Sequence, residues 1–199
     1  FHDTAGLILG GGNTKLQPLW STCTAGDTGL LFHVSGEEEP DFSSRAGLQH
    51  VPDRAAPGKD SAQPSLTLSF GLDEFKITCI PETEKMLSIV CEASSVSAMP
   101  MEGHLTLMPV VGEPIHVSNG IEQVLGETRI AWQVDGVSGW LEHNGWRISL
   151  PEGARLDWPI MPHNPYRKQG DATVEEARIV ISLPFSAHQN RYDLALSVL

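Results

Sequence analysis

A chain of 199 residues, 40% of them hydrophobic, carries enough apolar content for one large core, which excludes disorder throughout. Its 13 Lys and Arg against 25 Asp and Glu leave a net charge of -12, a field that repels polyanions and argues against nucleic acid as a partner. The longest basic stretch is only Arg167-Lys168, and no apolar run reaches the roughly 20 residues needed to span a bilayer.

The chain opens on Phe1-His2-Asp3 with no Met start, and the expectation is a fragment or processed product. Leu9-Gly10-Gly11-Gly12-Asn13-Thr14-Lys15 follows. A phosphate cradle would end in Gly-Lys-Ser/Thr and open a helix, whereas here Lys15 follows Thr14 and Pro18 comes soon after. A glycine turn or bulge between strands is the expectation, able to present Asn13 and Lys15 from a rigid position. Residues 36–64, with Glu37-Glu38-Glu39-Pro40 and several Pro, Gly and Asp, read as a long surface excursion.

From there the dominant period is two. Leu66, Leu68 and Phe70 alternate with polar residues, as do Phe75, Ile77 and Cys79, and, across a turn at 81–85, Leu87, Ile89 and Cys91. The pattern resumes at Leu105 and Leu107, then Ile130, Trp132 and Val134, then Trp146, Ile148 and Leu150. Leu156, Trp158 and Ile160 come next, then Ile179 to Phe185, and finally Leu194, Leu196 and Val198. Alternation of this kind buries one face of a strand and wets the other. The best helical stretch, Ser118 to Leu125, is barely two turns long.

Turn residues separate the runs at Asp135-Gly136, Asn144-Gly145 and Pro151-Glu152-Gly153. Asn144-Gly145 is the specific signal, because a two-residue type I′ hairpin needs positive φ at both positions. Residues 161–174 read as a second irregular loop. About a dozen short strands without a long helical stripe predict an all-β, antiparallel β-sandwich over 1–199, with little helix.

Chemistry is sparse. The three cysteines, Cys23, Cys79 and Cys91, form no C-x-x-C pair, and the eight histidines form no H-x-H or H-E-x-x-H spacing. Buried free thiols, no metal ligands and no cofactor are expected. Gly136-Val137-Ser138-Gly139 does not have the G-x-S-x-G spacing of a nucleophile elbow. Trp132, Trp146 and Trp158 fall on inward positions and read as core, whereas Trp140 beside the hairpin turn and Tyr166 in the irregular loop are candidate stacking surfaces.

Two segments resemble a known family. One runs from His2 through Lys15 to Gln17-Pro18-Leu19-Trp20-Ser21. The other is Gly139-Trp140-Leu141-Glu142-His143-Asn144-Gly145-Trp146-Arg147, with Leu150-Pro151-Glu152-Gly153-Ala154 and Pro162-His163-Asn164-Pro165-Tyr166. Together they resemble the C-terminal β-domain of bacterial heparinase II/III-like proteins, which pair a helical toroid with a β-sandwich and cleave acidic polysaccharides by β-elimination. The resemblance implies a non-catalytic sandwich domain of a secreted polysaccharide lyase, extracellular or periplasmic, partnered by the N-terminal part of the same protein and by a polysaccharide or oligosaccharide, acidic ones included. The toroid that carries much of the lyase apparatus is not in this sequence, so no catalytic residue is carried over. Candidate contacts are Asn13, Lys15, Trp140, His143, His163, Asn164, Tyr166 and Arg167, with Lys15 and Arg167 pairing substrate carboxylates and the aromatics stacking. Two alternatives stand beside this: a stand-alone sandwich-fold enzyme such as a sugar epimerase or lyase, marked by a polar-lined sheet face, and an interaction domain without ligand.

Overall fold

The computed structural model describes residues 23–25, 54–70, 73–94, 101–160 and 173–199. They form two antiparallel sheets. The larger has nine strands and begins at one edge with β2 (Arg54–Pro57), β3 (Ser65–Phe70), β4 (Asp73–Thr83) and β5 (Met86–Ser94). It continues through β14 (Arg191–Val198), β11 (Trp146–Leu150), β10 (Gly139–His143), β7 (Pro114–Val117) and β8 (Glu122–Val124). The smaller sheet runs β1 (Cys23–Ala25), β6 (Met101–Leu107), β13 (Arg178–Phe185), β12 (Arg155–Ile160) and β9 (Ile130–Gln133). This is the expected β-sandwich.

The alternating residues set which faces meet. Trp146, Ile148 and Leu150 of β11, Ile89 and Cys91 of β5, and Leu156 and Trp158 of β12 are buried in one core with Ile179, Ile181 and Leu183 of β13. Phe185 of the small sheet sits between two rings of the large one. It meets Phe75 edge-on at 5.7 Å and Tyr192 at 5.2 Å, and the Tyr192 hydroxyl donates to the Pro184 carbonyl. Cys79 and Cys91 are free and face the core from neighbouring strands, and burial pushes the Cys91 thiol up to about 12.

Gly103 of β6 marks the tightest point of this junction. A Cβ there would lie 2.6 Å from Phe75 Cε2 and 2.7 Å from Phe185 Cε2, so the rings occupy the space that a side chain would need. Gly103→Ala should therefore lower stability by about 1–3 kcal/mol through overpacking. A urea midpoint unchanged by the substitution would show that the two rings do not close on this strand.

Three expectations change. Residues 54–57, expected inside a loop, form β2, an edge strand that pairs with β3 and is largely exposed. Residues 118–125, the best helical stretch, instead turn and return as β8, which pairs with β7. Trp132, expected as core, is partly buried and packs against the core from its margin, whereas Trp146 and Trp158 are fully enclosed. Of the loop expected at 161–174, only Thr173 and Val174 are described, where Val174 opens a 3-10 turn, Val174–Glu176.

Candidate functional site

The Asn144-Gly145 turn fixes the first site. Asn144 has φ 41° and Gly145 φ 78°, the two positive values that a type I′ hairpin requires, so His143 faces Trp146 and Glu142 faces Arg147. Leu141, His143, Trp146, Ile148 and Leu150 are buried, which turns Trp140, Glu142, Arg147 and Ser149 to the outer face of the large sheet.

Across that face, register aligns a strip of small residues around one aromatic. Ser118 lies beside Trp140: its N–H donates to the Trp140 carbonyl at 3.0 Å, and its Oγ accepts the Trp140 N–H at 3.2 Å. Ser149 pairs with Trp140 on the other side and its Oγ accepts the Ala195 N–H at 2.7 Å, while Ala195 pairs with Ser88. Ser118, Trp140, Ser149, Ala195 and Ser88 thus cross five neighbouring positions, roughly 19 Å at about 4.8 Å per strand. Trp140 is the one large side chain among them and is partly exposed. The Ser118 and Ser149 hydroxyls use lone pairs on backbone N–H groups, which leaves each O–H to donate outward.

The adjoining row is charged. Arg147 donates to Glu142 Oε2 from Nε at 3.1 Å and from its terminal nitrogen at 2.7 Å, and its guanidinium carbon lies 4.6 Å from the Trp140 ring centroid. The indole is thereby held by a cation on one face. His116 pairs with Glu142 along the ladder and its Nδ1 lies 3.8 Å from Glu122.

A second polar arrangement occupies the far face of the small sheet. His104, Ser182, Arg155 and Gln133 stand directly opposite one another across β6, β13, β12 and β9. Arg155 Nε donates to Asp157 Oδ2 at 2.7 Å, and Arg155 also reaches Ser182 Oγ at 3.5 Å. Strand β13 is buried on both faces; His104, Asp157 and Ser182 are 2%, 1% and 0% exposed. His104, Arg155 and Asp157 have partners beyond these. Arg178, at the start of β13, donates to the carbonyls of Glu176 and Ala177 at 2.8 Å each. Burial lowers its tendency to hold the proton, and nearby Glu176 opposes that. Gln133, at the end of this row, is exposed, and the Arg155 side chain is partly exposed.

Among the described residues, no three His, Cys, Asp or Glu side chains come together as a metal site, and no helix is long and apolar enough to cross a membrane.

The sequence matches no protein-family model and no curated protein. Solved structures of similar shape include a heparinase III gene product, at 12% identity and a TM-score of 0.44 over 92% of this chain. Others are a putative mutarotase from Salmonella typhimurium, at 9% identity and TM-score 0.39 over 92% of this chain and 82% of its own, and a heparan sulfate lyase mutant from Pedobacter heparinus, at 10% and 0.34. The chain spans 28% of the length of either the heparinase III or the heparan sulfate lyase, and all of this chain is covered by the latter match. With identities this low and no TM-score of the three above 0.44, the likeness carries nothing about reaction or ligand.

Of the eight candidate contacts, Asn13, Lys15, His163, Asn164, Tyr166 and Arg167 lie outside the described residues. Trp140 stands on the outer face as described above. His143 differs from the expectation. It is 1% exposed and points into the core, where Nδ1 donates to the Pro114 carbonyl at 2.8 Å and Nε2 accepts the Val110 N–H at 2.9 Å. Both ring nitrogens are used by the protein, and the ring meets Trp146 edge-on at 5.6 Å. The physical reason is parity: position 143 shares the face of Leu141, one residue out of phase with Trp140.

Sequence reasoning missed Glu142 and Arg147, although the hairpin turn carried the signal, since a two-residue loop at 144–145 forces 142 opposite 147. Ser149 falls opposite Trp140 by the same register, whereas Ser118 had no comparable signal, because its place beside Trp140 needs the pairing of β7 with β10. The row His104–Ser182–Arg155–Gln133 joins four strands far apart in sequence and was equally hidden.

Proposed function

We propose that this chain is a carbohydrate-binding β-sandwich domain of a polysaccharide-degrading, lyase-like protein, acting as a substrate support rather than as the site of bond cleavage. The supporting observation is the outer strip of the large sheet, a partly exposed indole set in a row of serine hydroxyls and clamped by Arg147. A sugar ring offers one apolar face and an equatorial rim of hydroxyls. Trp140 matches the face, while Ser118, Ser149 and Glu142 supply donors and acceptors for the rim. A flat, preformed site on rigid strands loses little entropy when it binds.

Titration calorimetry of the chain against a glycan panel tests this. Trp140→Ala should weaken binding by at least about tenfold, in line with the 1–3 kcal/mol of an aromatic stacking contact. The variant should fold as the parent does, because Trp140 lies outside the core. Binding that is unchanged in Trp140→Ala would remove the strip from consideration.

A second reading is favoured by the polar row on the small sheet. A sugar-converting enzyme would keep an imidazole, a carboxylate and a guanidinium on one sheet face, and His104, Asp157 and Arg155 stand so. Under that reading the chain turns over a sugar in a mutarotation or lyase assay, and His104→Ala abolishes the turnover while leaving Trp140-dependent binding intact.

A further inference from the structure

We infer that the Trp140 strip selects an uncharged glycan over a uronic-acid or sulfated one; this rests on the strip being a glycan site. The argument is electrostatic. Among the described residues, four carboxylates, Glu82, Glu122, Glu142 and Asp193, stand beside the strip against two cations, Arg147 and the Arg191 bonded to Asp193. Glu82 reaches the end of the strip itself, where the Ser88 hydroxyl donates to its Oε1 at 3.0 Å.

The described cations of this face are each paired with a carboxylate. Arg147 gives two of its N–H groups to Glu142 and sets its guanidinium carbon over the Trp140 ring. Further along, Arg191 bonds Asp193 at 2.7 Å and Glu92 at 3.2 Å, and Lys76 lies 3.9 Å from the same Glu92. A ligand carboxylate or sulfate at Trp140 would find Arg147 with three N–H groups left but its charge already shared with Glu142, and would stand against that carboxylate as a second anion. Hydroxyls meet no such cost: carboxylates accept from them, and serine hydroxyls donate to them. The net charge of -12 adds repulsion at longer range. Discrimination here comes from carboxylates placed against the wrong ligand as much as from contacts to the right one.

The test is calorimetry on the full chain with uncharged gluco- and galacto-oligosaccharides in one arm and oligogalacturonate and heparan sulfate oligosaccharides in the other. Each arm is run at low and high salt, between which the screening length falls from about 30 Å at 0.01 M to about 3 Å at 1 M. The expected result is binding of an uncharged oligosaccharide that salt leaves within about twofold and Trp140→Ala weakens at least about tenfold, with acidic ligands at least about tenfold weaker. Glu142→Gln, which removes one carboxylate and frees Arg147, should raise affinity for oligogalacturonate relative to the uncharged ligand. Tighter binding of the acidic arm, lost at high salt, would overturn the selectivity and keep the glycan site. Uncharged binding that survives Trp140→Ala would overturn the assignment to this strip. No binding in either arm by folded chain would overturn the glycan reading and the selectivity with it.

Discussion

Trp158→Ala should cost about 3–5 kcal/mol of stability, the range for deleting a large buried aromatic. Trp158 is 0% exposed, stands opposite Ile130 between β12 and β9, and packs in the core shared by both sheets. Its indole Nε1 also donates to the Gly126 carbonyl at 3.0 Å, tying the turn between β8 and β9 to the sandwich. Alanine would remove both the packing and the donor. Against the 5–15 kcal/mol that typically separates folded from unfolded domains, this is a large share. Trp158→Phe keeps most of the volume and loses the donor, so it should cost less, about 1–3 kcal/mol. Urea midpoints at constant slope read both values. A loss below about 1 kcal/mol for the alanine variant would contradict the burial.

His143→Leu should cost about 2–5 kcal/mol, because it leaves two part-buried backbone groups, the Val110 N–H and the Pro114 carbonyl, without the ring that joins them. Val110 lies in the connection entering β7 and Pro114 is the first residue of that strand, so the substitution also loosens the strand that carries His116 and borders the strip. The same ring predicts a pH dependence. Burial lowers the His143 pKa from its ordinary 6.5, outweighing the opposing pull of the Pro114 carbonyl and of Glu113. Below that value the unfolded chain takes up a proton that the folded chain refuses, so stability falls as pH falls from about 6.5 and levels off below the folded pKa. Above about 6.5 both states are neutral and this contribution is flat. One such proton contributes at most about 1.4 kcal/mol per pH unit. His143→Gln, which retains a donor and an acceptor, should lose that part of the slope between pH 7 and 5 while its stability at neutral pH falls less than that of His143→Leu. Identical slopes for parent and Gln variant would show that this imidazole does not resist protonation.

The two sites differ in how far they could be read before folding. Hairpin β10–β11 was legible in full: alternation marked Trp146, Ile148 and Leu150 as inward, and Asn144-Gly145 fixed the register to the residue. That register alone puts Glu142 against Arg147 and Trp140 beside them. His143 was a candidate contact, yet the two-residue period of the strand already assigned position 143 to the core.

What the sequence determined by itself is local. Strand period, the type I′ turn, the free thiols and the all-β class follow from contacts between near neighbours and from the cost of leaving apolar side chains in water. Tertiary structure alone decided which strands became neighbours. Ser118, Ser149 and Ser88 form one strip only because β14 pairs with β5 on one side and β11 on the other. His104 reaches Ser182 and Arg155 only because β13 lies between β6 and β12. Such pairings depend on how two twisted sheets bury their apolar faces together, a global free energy that no short window of residues contains.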